Sequence, residues 1–167
     1  MKLRNGIWRN MGGCLAPMNA YLNIIGMETL GLRMERVCNN AFRLAQALEK
    51  LEGVSVNYPL LESSPYHELA EKQLSGKGGA ILTIRAGSKE RAYKLINHLK
   101  YVKIATNIGD VRTLVIHPAS TIYIHSTPEA MEEAGVYDDT IRISVGIEDI
   151  KDLIKDFTEA VESLGEE

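Results

Sequence analysis

The ten residues Thr140–Asp149, with the sequence TIRISVGIED, decide the fold of this chain because they predict a strand that leads into a helix. Apolar and polar residues alternate in this stretch with the period of two that is typical of a half-buried strand. Ile141, Ile143 and Val145 therefore form one apolar face of the strand. The opposite face presents the guanidinium of Arg142 beside a hydroxyl group.

Arg142 is the first candidate for a binding residue. Its planar fork of N–H donors suits bidentate recognition of a carboxylate. We expect the guanidinium to be accessible on the face opposite the isoleucines, since a one-residue slip in register would bury the charge. The spacing alone favours a different interpretation, in which an edge-strand arginine pairs with a surface acid. Both interpretations are open at this point.

A long amphipathic helix is predicted to precede the strands. Pro17 is placed to begin a first helix, Gly26 and Gly31 predict a break, and Gly53 predicts the end of the long helix. Apolar residues recur three and four positions apart along this helix, which indicates one buried stripe. The stripe consists of Leu30, Met34, Val37, Ala41, Leu44, Leu48 and Leu51.

Strands and shorter helices alternate through the rest of the chain. Four helix starts are predicted from capping residues, at Ser64, Ser88, Thr127 and Asp149, with the helix from Ser64 running to about Leu74. Further strands are predicted at residues 54–58, 80–85, 102–106 and 113–116. This order predicts an α+β fold, in which a small sheet is covered on one face by helices and preceded by a long amphipathic helix.

The composition excludes several classes of protein. The 167 residues are 45% hydrophobic and 25% charged, which is ordinary for a soluble globular protein of one domain, or of one domain and a small extension. A net charge of -3 provides no basic footprint for nucleic acid. No apolar run approaches the roughly 20 residues that span a bilayer. Cys14 and Cys38 form no metal-ligand pattern, so we interpret both as small apolar fillers in a reducing cytoplasm.

Other candidate chemistry is weak. His117 could be imagined as part of a hydrolase triad with Ser120 and Asp110, but no nucleophile elbow accompanies them. A structural loop histidine is therefore the favoured interpretation. The four histidines are scattered without metal-ligand spacing. Residues 76–79, GKGG, predict a turn rather than a phosphate-binding loop, because the required spacing and following helix are missing.

Six motifs in a fixed order give a more specific signal. They are GGCLAPM at 12–18, GMETL at 26–30, VNYP at 56–59, NIGD at 107–110, TLVIHPAST at 113–121 and the stretch at 140–149. In this order they resemble the pyridoxal-phosphate enzymes of cysteine and methionine metabolism, the cystathionine gamma-synthase-like family. The resemblance extends from about Trp8 to Leu164. The NIGD motif and the SVGIED ending look most like O-acetylhomoserine sulfhydrylases.

The resemblance implies a fold, a cofactor and two site residues. The fold would be the C-terminal domain of fold-type I enzymes that use pyridoxal 5'-phosphate. The arginine at the Arg142 position binds the substrate α-carboxylate in the family, and the residue at the Asn107 position lies at the mouth of that pocket. Relatives often have serine there. Asparagine departs from the lyase and synthase pattern and fits the sulfhydrylase-like one.

One element of the family pattern is missing from this sequence. The family links its cofactor to a lysine in a Ser-x-Thr-Lys context, and none of the ten lysines here has that context. We therefore expect residues 1–53 to form an N-terminal segment and a connecting helix, and residues 54–167 to form the C-terminal α+β domain. The large cofactor-binding domain would be absent, and this chain would itself bind no cofactor.

Two functions of different class remain open. The chain could be the substrate-binding domain of a transferase that converts O-acetylhomoserine and sulfide into homocysteine and acetate. It could instead be a non-catalytic module that dimerises or pairs with a separate N-terminal chain, or a fragment of a cystathionine gamma-synthase or methionine gamma-lyase. The expected partners are an amino-acid substrate and either a second copy or the missing domain. An apolar lead-in would then lie exposed, formed by Leu15, Leu22, Ile24 and Ile25.

Overall fold

The computed structural model of the chain describes residues 4–165. The chain forms two compact units, which divide between Leu32 and Arg33. The long helix predicted to connect the segments crosses this division, because it runs from Leu30 to Leu48. Most of that helix therefore belongs to the second unit, together with the sheet.

The first unit is helical and has an apolar surface. It contains a π-helical turn at Arg4–Trp8, then α1 at Arg9–Met11 and α2 at Pro17–Glu28. Pro17 occupies the first turn of α2, as predicted, because its missing N–H has no helical partner there. The helix ends at Glu28 with Thr29 as its C-cap, so the predicted break before the long helix is confirmed. No side chain of α2 is buried.

Helix α3, Leu30–Leu48, belongs to the second unit from Arg33 onward and supplies one wall of its core. The predicted apolar stripe is confirmed from Val37 onward, but Leu30 and Met34 are each 43% exposed. The helix ends at Leu48, five residues before the predicted stop at Gly53, whose φ of +86° allows the turn that follows. The buried residues of α3 are Val37, Cys38, Asn40, Ala41, Leu44, Ala45 and Leu48.

A five-stranded sheet forms the centre of the second unit, in the order β1-β2-β5-β4-β3. All neighbouring strands are antiparallel except β3 and β4, which are parallel. The central strand is β5, and the predicted strand at 102–106 shortens to a two-residue edge. The strands are β1 Ser55–Asn57, β2 Ile81–Arg85, β3 Lys103–Ile104, β4 Leu114–Ile116 and β5 Thr140–Ser144.

One face of this sheet is packed against helices. Leu82 pairs with Ile143 and Ile84 with Ile141, so four apolar side chains of the two central strands share one face. All four are at most 1% exposed, and they join residues of α3, α5 and α7 in one apolar cluster. The predicted α+β class, with helices on one face of a small sheet, is therefore confirmed.

Three of the four predicted helix starts are confirmed. The side chains of Ser88, Thr127 and Asp149 each accept a backbone N–H at the start of a helix. Ser64 is wrong as an N-cap, because its hydroxyl accepts the N–H of Tyr66 in a turn that precedes the helix. The helices are α4 His67–Leu74, α5 Lys89–His98, α6 Pro128–Glu133 and α7 Ile150–Glu162, with 3-10 turns at Pro118–Ser120 and Ser163–Gly165.

The two cysteines differ in environment. Cys38 is buried, in agreement with its interpretation as an apolar filler, whereas Cys14 is exposed and that interpretation is wrong for it. Within residues 4–165, no three or more His, Cys, Asp and Glu side chains are grouped so that they could hold a metal ion. None of the helices in the same range has the length and apolarity needed to cross a membrane.

Candidate functional site

Arg142 lies in the middle of the sheet rather than at its edge. Strand β5 pairs with β2 on one side and β4 on the other, so that Arg142 faces Thr83 and Ile116 across the two ladders. The interpretation of Arg142 as an edge-strand residue is therefore wrong. Its neighbour on the same face, Ser144, is 1% exposed, and Arg142 itself is half-buried. The polar face of β5 is thus also covered, and the strand is not the half-buried one that was predicted.

The guanidinium of Arg142 is held by backbone oxygens. Its Nη2 donates to the carbonyl oxygen of Thr106 at 2.6 Å and to that of Asn107 at 3.4 Å. Among the residues that the structure describes, no carboxylate lies within ion-pair distance of Arg142. The alternative of a pair with a surface acid is therefore wrong. The arginine therefore has no anionic partner within residues 4–165.

One donor of this guanidinium has no partner among the described residues. The Nε–H of Arg142 is buried, and it has no acceptor within residues 4–165. An unpaired buried donor costs about 1–3 kcal/mol, so native structures rarely retain one. An acceptor from outside the described residues would therefore stabilise this arrangement, and an anion would stabilise it most.

A loop lies along the polar face of β5 and forms the floor of the site. This floor loop, residues 106–113, includes the NIGD motif. Gly109 donates its N–H to the Ser144 hydroxyl at 3.2 Å, and Val111 accepts the N–H of Ile147 at 3.0 Å. Gly109 has a φ of +77°, a left-handed conformation that glycine adopts without strain. The loop therefore follows the strand from Arg142 to beyond its end.

The far end of the floor loop is fastened by buried polar contacts. The backbone N–H and the hydroxyl of Thr113 both donate to the carboxylate of Glu148, the hydroxyl at 2.9 Å. The same hydroxyl accepts the N–H of Gly146 at 3.0 Å. A β-carbon on Gly146 would lie 2.4 Å from the carbonyl oxygen of Val111, so only glycine permits this close approach. The SVGIED ending therefore serves to seat the floor loop on the strand.

Asn107 is brought next to Arg142, as predicted, but through its backbone. Its carbonyl oxygen contacts Nη2, while the residue as a whole is exposed. The contact with the guanidinium is therefore made by the Asn107 backbone and not by its side-chain amide. Two contributors were missed by sequence reasoning: the Thr106 carbonyl and the Gly109 N–H. Both are backbone groups, whose positions no side-chain pattern reveals.

His117 has a structural role. Its Nε2 lies 2.6 Å from the carbonyl oxygen of Asp138 and must donate to it, which leaves Nδ1 as the acceptor for the Ser120 N–H and hydroxyl. The carboxylate of Asp110 instead accepts the backbone N–H of Arg112. His117 is 4% exposed. The imagined triad is therefore not assembled, and the structural interpretation is confirmed.

The glycine-rich turn at 76–79 carries no phosphate site. It leads into strand β2 rather than a helix, and Lys77 pairs with Glu35 at 2.5 Å. That pairing raises the pKa of Lys77, chiefly through the hydrogen bond to the carboxylate. Gly78 packs so closely on Tyr58 that a β-carbon would lie 2.6 Å from its ring. The turn is a packing element.

Comparison with known proteins identifies the class of this chain. A sequence model described as Cys/Met metabolism PLP-dependent enzyme matches residues 2–162. The chain is 46% identical over 156 residues to homocysteine synthase of Schizosaccharomyces pombe and 43% identical over 155 residues to O-acetyl-L-homoserine sulfhydrylase 1 of Thermus thermophilus. These matches cover 92% of this chain and only 36% and 37% of the relatives.

A solved structure shows the same fold. A protein of Campylobacter jejuni described as an O-acetylhomoserine (thiol)-lyase, which carries a pyridoxyl-lysine, matches with a TM-score of 0.90 and 36% identity. The match covers 96% of this chain and 39% of that one. The chain therefore belongs to the Cys/Met metabolism PLP-dependent enzyme family, as the motifs indicated. It spans little more than a third of the length of these relatives, and its fold is that of part of a fold-type I enzyme.

Proposed function

We propose that this chain provides the substrate-carboxylate site of a PLP-dependent O-acetylhomoserine sulfhydrylase. In the proposed reaction, the sulfur of sulfide forms a bond to Cγ of O-acetyl-L-homoserine and the Cγ–O bond breaks. The products are L-homocysteine and acetate. The role of this chain is to bind and orient the amino-acid substrate through Arg142, with Asn107 at the mouth of the pocket.

The observation that carries this proposal is that the Arg142 guanidinium has no anionic partner among the described residues and keeps one buried donor without an acceptor. Two carbonyl oxygens hold Nη2 of Arg142, no carboxylate of the described residues neutralises the charge, and Nε is left without an acceptor. An α-carboxylate supplies two oxygen acceptors and one negative charge, which match this set of donors. Fixing the carboxylate restricts how the substrate can lie, and positioning of this kind can lower a barrier by several kcal/mol.

The residues of this chain fit the substrate carboxylate and do not fit the cofactor's anchor. When bound in the family, PLP acts as the electron sink for the chemistry. No lysine here stands in the Ser-x-Thr-Lys context that the family uses to hold it. We therefore assign the cofactor to a polypeptide region outside the 167 residues, and we expect the chain alone to bind none.

The proposed partners follow from this division of roles. An amino-acid substrate would contact Arg142, and either a second copy of the chain or the large domain would cover its apolar surface. We expect these partners to meet in the cytoplasm. Neither a nucleic acid nor a membrane is proposed as a partner.

A second candidate is a non-catalytic module for dimerisation or for pairing with a separate N-terminal chain. The observation in its favour is the exposed apolar surface of the first unit, where no α2 side chain is buried. Under this candidate Arg142 would have no substrate. A cystathionine gamma-synthase or a methionine gamma-lyase is an alternative within the first candidate, since all three handle an amino-acid carboxylate.

A chimera tests the proposed function directly. We would replace the matching 155-residue region of the Thermus thermophilus relative with this chain and follow the formation of homocysteine from O-acetylhomoserine and sulfide. Arg142→Lys should raise KM about 10- to 100-fold, because an ammonium cannot reproduce the planar fork. The visible absorbance of the bound cofactor should be unchanged.

A matched control and a clear contrary result complete this test. Arg112 is exposed and follows Asp110 on the floor loop, so Arg112→Lys should leave KM within about twofold of the parent chimera. Equal KM values for Arg142→Lys, Arg112→Lys and the parent would show that Arg142 does not bind the substrate carboxylate. Turnover of methionine but not of O-acetylhomoserine would favour the lyase alternative.

A further inference from the structure

We infer that Ser144 is a positioning residue that keeps the Arg142 guanidinium in its binding orientation. It would do so by fastening the floor loop, on whose carbonyl oxygens the guanidinium rests. The inference rests on the proposed function for the substrate, but the fastening itself concerns only residues of this chain. Ser144 would touch neither the substrate nor the cofactor.

Both contacts belong to one short segment of chain. Arg142 and Ser144 are two positions apart on β5, so their side chains lie on the same face of the sheet. Arg142 contacts the carbonyl oxygens of Thr106 and Asn107, and Ser144 accepts the N–H of Gly109 at 3.2 Å. The loop residue that contacts Arg142, Asn107, is therefore only two positions from the one that contacts Ser144, Gly109. A shift of Gly109 would move the carbonyl oxygens that hold the guanidinium.

Few other contacts could take over this role. On one side of the segment Ala105 donates its N–H to Val115 at 3.3 Å, and on the other Val111 accepts from Ile147. Between Ala105 and Val111, within the part of the chain that the structure describes, the side chains of Arg142 and Ser144 are the hydrogen-bonding partners that tie the loop to the strand.

The burial of the Ser144 hydroxyl favours a stable hydrogen bond to the loop. Ser144 is 1% exposed, so water does not compete for its hydroxyl. Its loss would remove the hydrogen bond that ties the Gly109 N–H to the strand, and because Gly109 is itself exposed, water could take the place of the hydroxyl in an opened loop. The carbonyl oxygens of Thr106 and Asn107 would then move, and the guanidinium would lose the acceptors that aim it.

Amide exchange on the 167-residue chain tests the fastening without any activity. In Ser144→Ala, the backbone N–H of Gly109 and the Nε–H of Arg142 should both exchange with solvent about fivefold faster, as expected for the loss of one hydrogen bond. Ser144→Thr keeps the hydroxyl and should restore both rates. An Arg142 Nε–H rate that stays at the parent value in Ser144→Ala would overturn the inference.

Thr140 provides a matched control. It lies on the same strand and face, is 5% exposed, and its hydroxyl accepts the N–H of Tyr137 at 3.0 Å. Thr140→Val removes an equivalent hydrogen bond at the end of β5 away from the floor loop. It should speed the exchange of Tyr137 and leave Gly109 and Arg142 unchanged. If Thr140→Val moves the Arg142 signal as much as Ser144→Ala does, the effect is general loosening and the inference is wrong.

A milder substitution at Ser144 covers the case in which Ser144→Ala does not fold. If Ser144→Ala unfolds the chain, Ser144→Cys keeps the size of the side chain with a weaker acceptor and should show the same two changes.

In the chimera, Ser144→Ala should raise KM for O-acetylhomoserine about fivefold with kcat nearly unchanged, and it should add nothing to the effect of Arg142→Lys. Additive effects of the two substitutions would contradict the inference. An unchanged KM in Arg142→Lys would instead contradict the proposed function, while the exchange result still decides the role of Ser144.

Discussion

Asn40 of α3 and Gly146, just after β5, are joined by a buried hydrogen bond of 3.0 Å across 106 positions of the chain. The same amide nitrogen donates to the carbonyl oxygen of Glu148 at 2.9 Å, and Arg36, one turn earlier, donates to that oxygen at 3.1 Å. The long helix therefore holds the turn between β5 and α7. Gly146 and Glu148 of that turn also bond Thr113 at the end of the floor loop, so α3 stabilises the residues that hold the loop in place.

We predict that Asn40→Ala destabilises the chain by about 1–3 kcal/mol, because the buried carbonyl oxygen of Gly146 loses this donor and that of Glu148 keeps only Arg36. The free energy of unfolding in urea measures this loss. The neighbouring Asn39 is exposed, so Asn39→Ala should change stability by less than about 0.5 kcal/mol. Equal stabilities for the two variants would show that the Asn40 contact does not hold the turn.

Tyr58 is predicted to make the fold sensitive to alkaline pH. The residue is fully buried and donates its hydroxyl to the carbonyl oxygen of Gly79 at 2.9 Å, and burial raises its pKa well above the ordinary value. The unfolded chain releases this proton near pH 10 and the folded chain releases it only at higher pH. The stabilisation is therefore complete below pH 10 and is lost as the pH rises above it.

The free energy of unfolding should fall by up to about 1.4 kcal/mol for each pH unit above 10 because of Tyr58. Urea unfolding at several alkaline pH values measures this slope. Tyr58→Phe should remove it, whereas Tyr101→Phe should not, since Tyr101 is 64% exposed. A slope that is the same in the parent and in Tyr58→Phe would argue against the assignment.

The apolar lead-in predicts self-association of the isolated chain. Leu15, Leu22, Ile24 and Ile25 are all exposed, by 57%, 58%, 54% and 44%. Exposed apolar surface of this extent normally finds a partner. Sedimentation should show a dimer or larger species that Leu22→Glu shifts toward monomer. Leu69→Glu, at a position that is 50% exposed on α4, should have no such effect, and a clean monomer of the parent at high concentration would count against the prediction.

The isolated chain is expected to fold and to lack PLP-dependent activity. The sheet, its apolar cluster and three capped helices are complete within the second unit, whereas no lysine has the family's cofactor context. Circular dichroism and an assay with O-acetylhomoserine, sulfide and added PLP test both statements. Turnover by the pure chain at the rate of an intact enzyme would refute the second.

The alternating pattern of β5 was sufficient to predict its apolar face, but the face that carries Arg142 is also largely covered and the arginine is only half-exposed. The pattern could not place β5 at the centre of the sheet, because strand order depends on pairings between residues far apart in the sequence. Arg142 was therefore open to interpretation as an edge residue. The pairing of Arg142 with Thr83 and Ile116 on its two sides decided the point.

Capping residues predicted helix starts well where the hydrogen bond joins residues close in the sequence. Ser88 caps α5 because its hydroxyl reaches an N–H only three residues away. The same residue type failed at Ser64, where the hydroxyl satisfies a turn and the helix begins at His67. At the site, the family motifs pointed to Arg142 and Asn107. The orienting groups are carbonyl oxygens, which every residue possesses and no sequence pattern distinguishes.

The different burial of the two thiols makes the halves of the molecule separately observable. Cys14 is exposed in the first unit, and Cys38 is 7% exposed on α3. A thiol-directed fluorophore applied to the native chain should attach at Cys14 and leave the interior untouched. Its emission would then report when the surroundings of Cys14 in the first unit become covered, without any substitution in the protein.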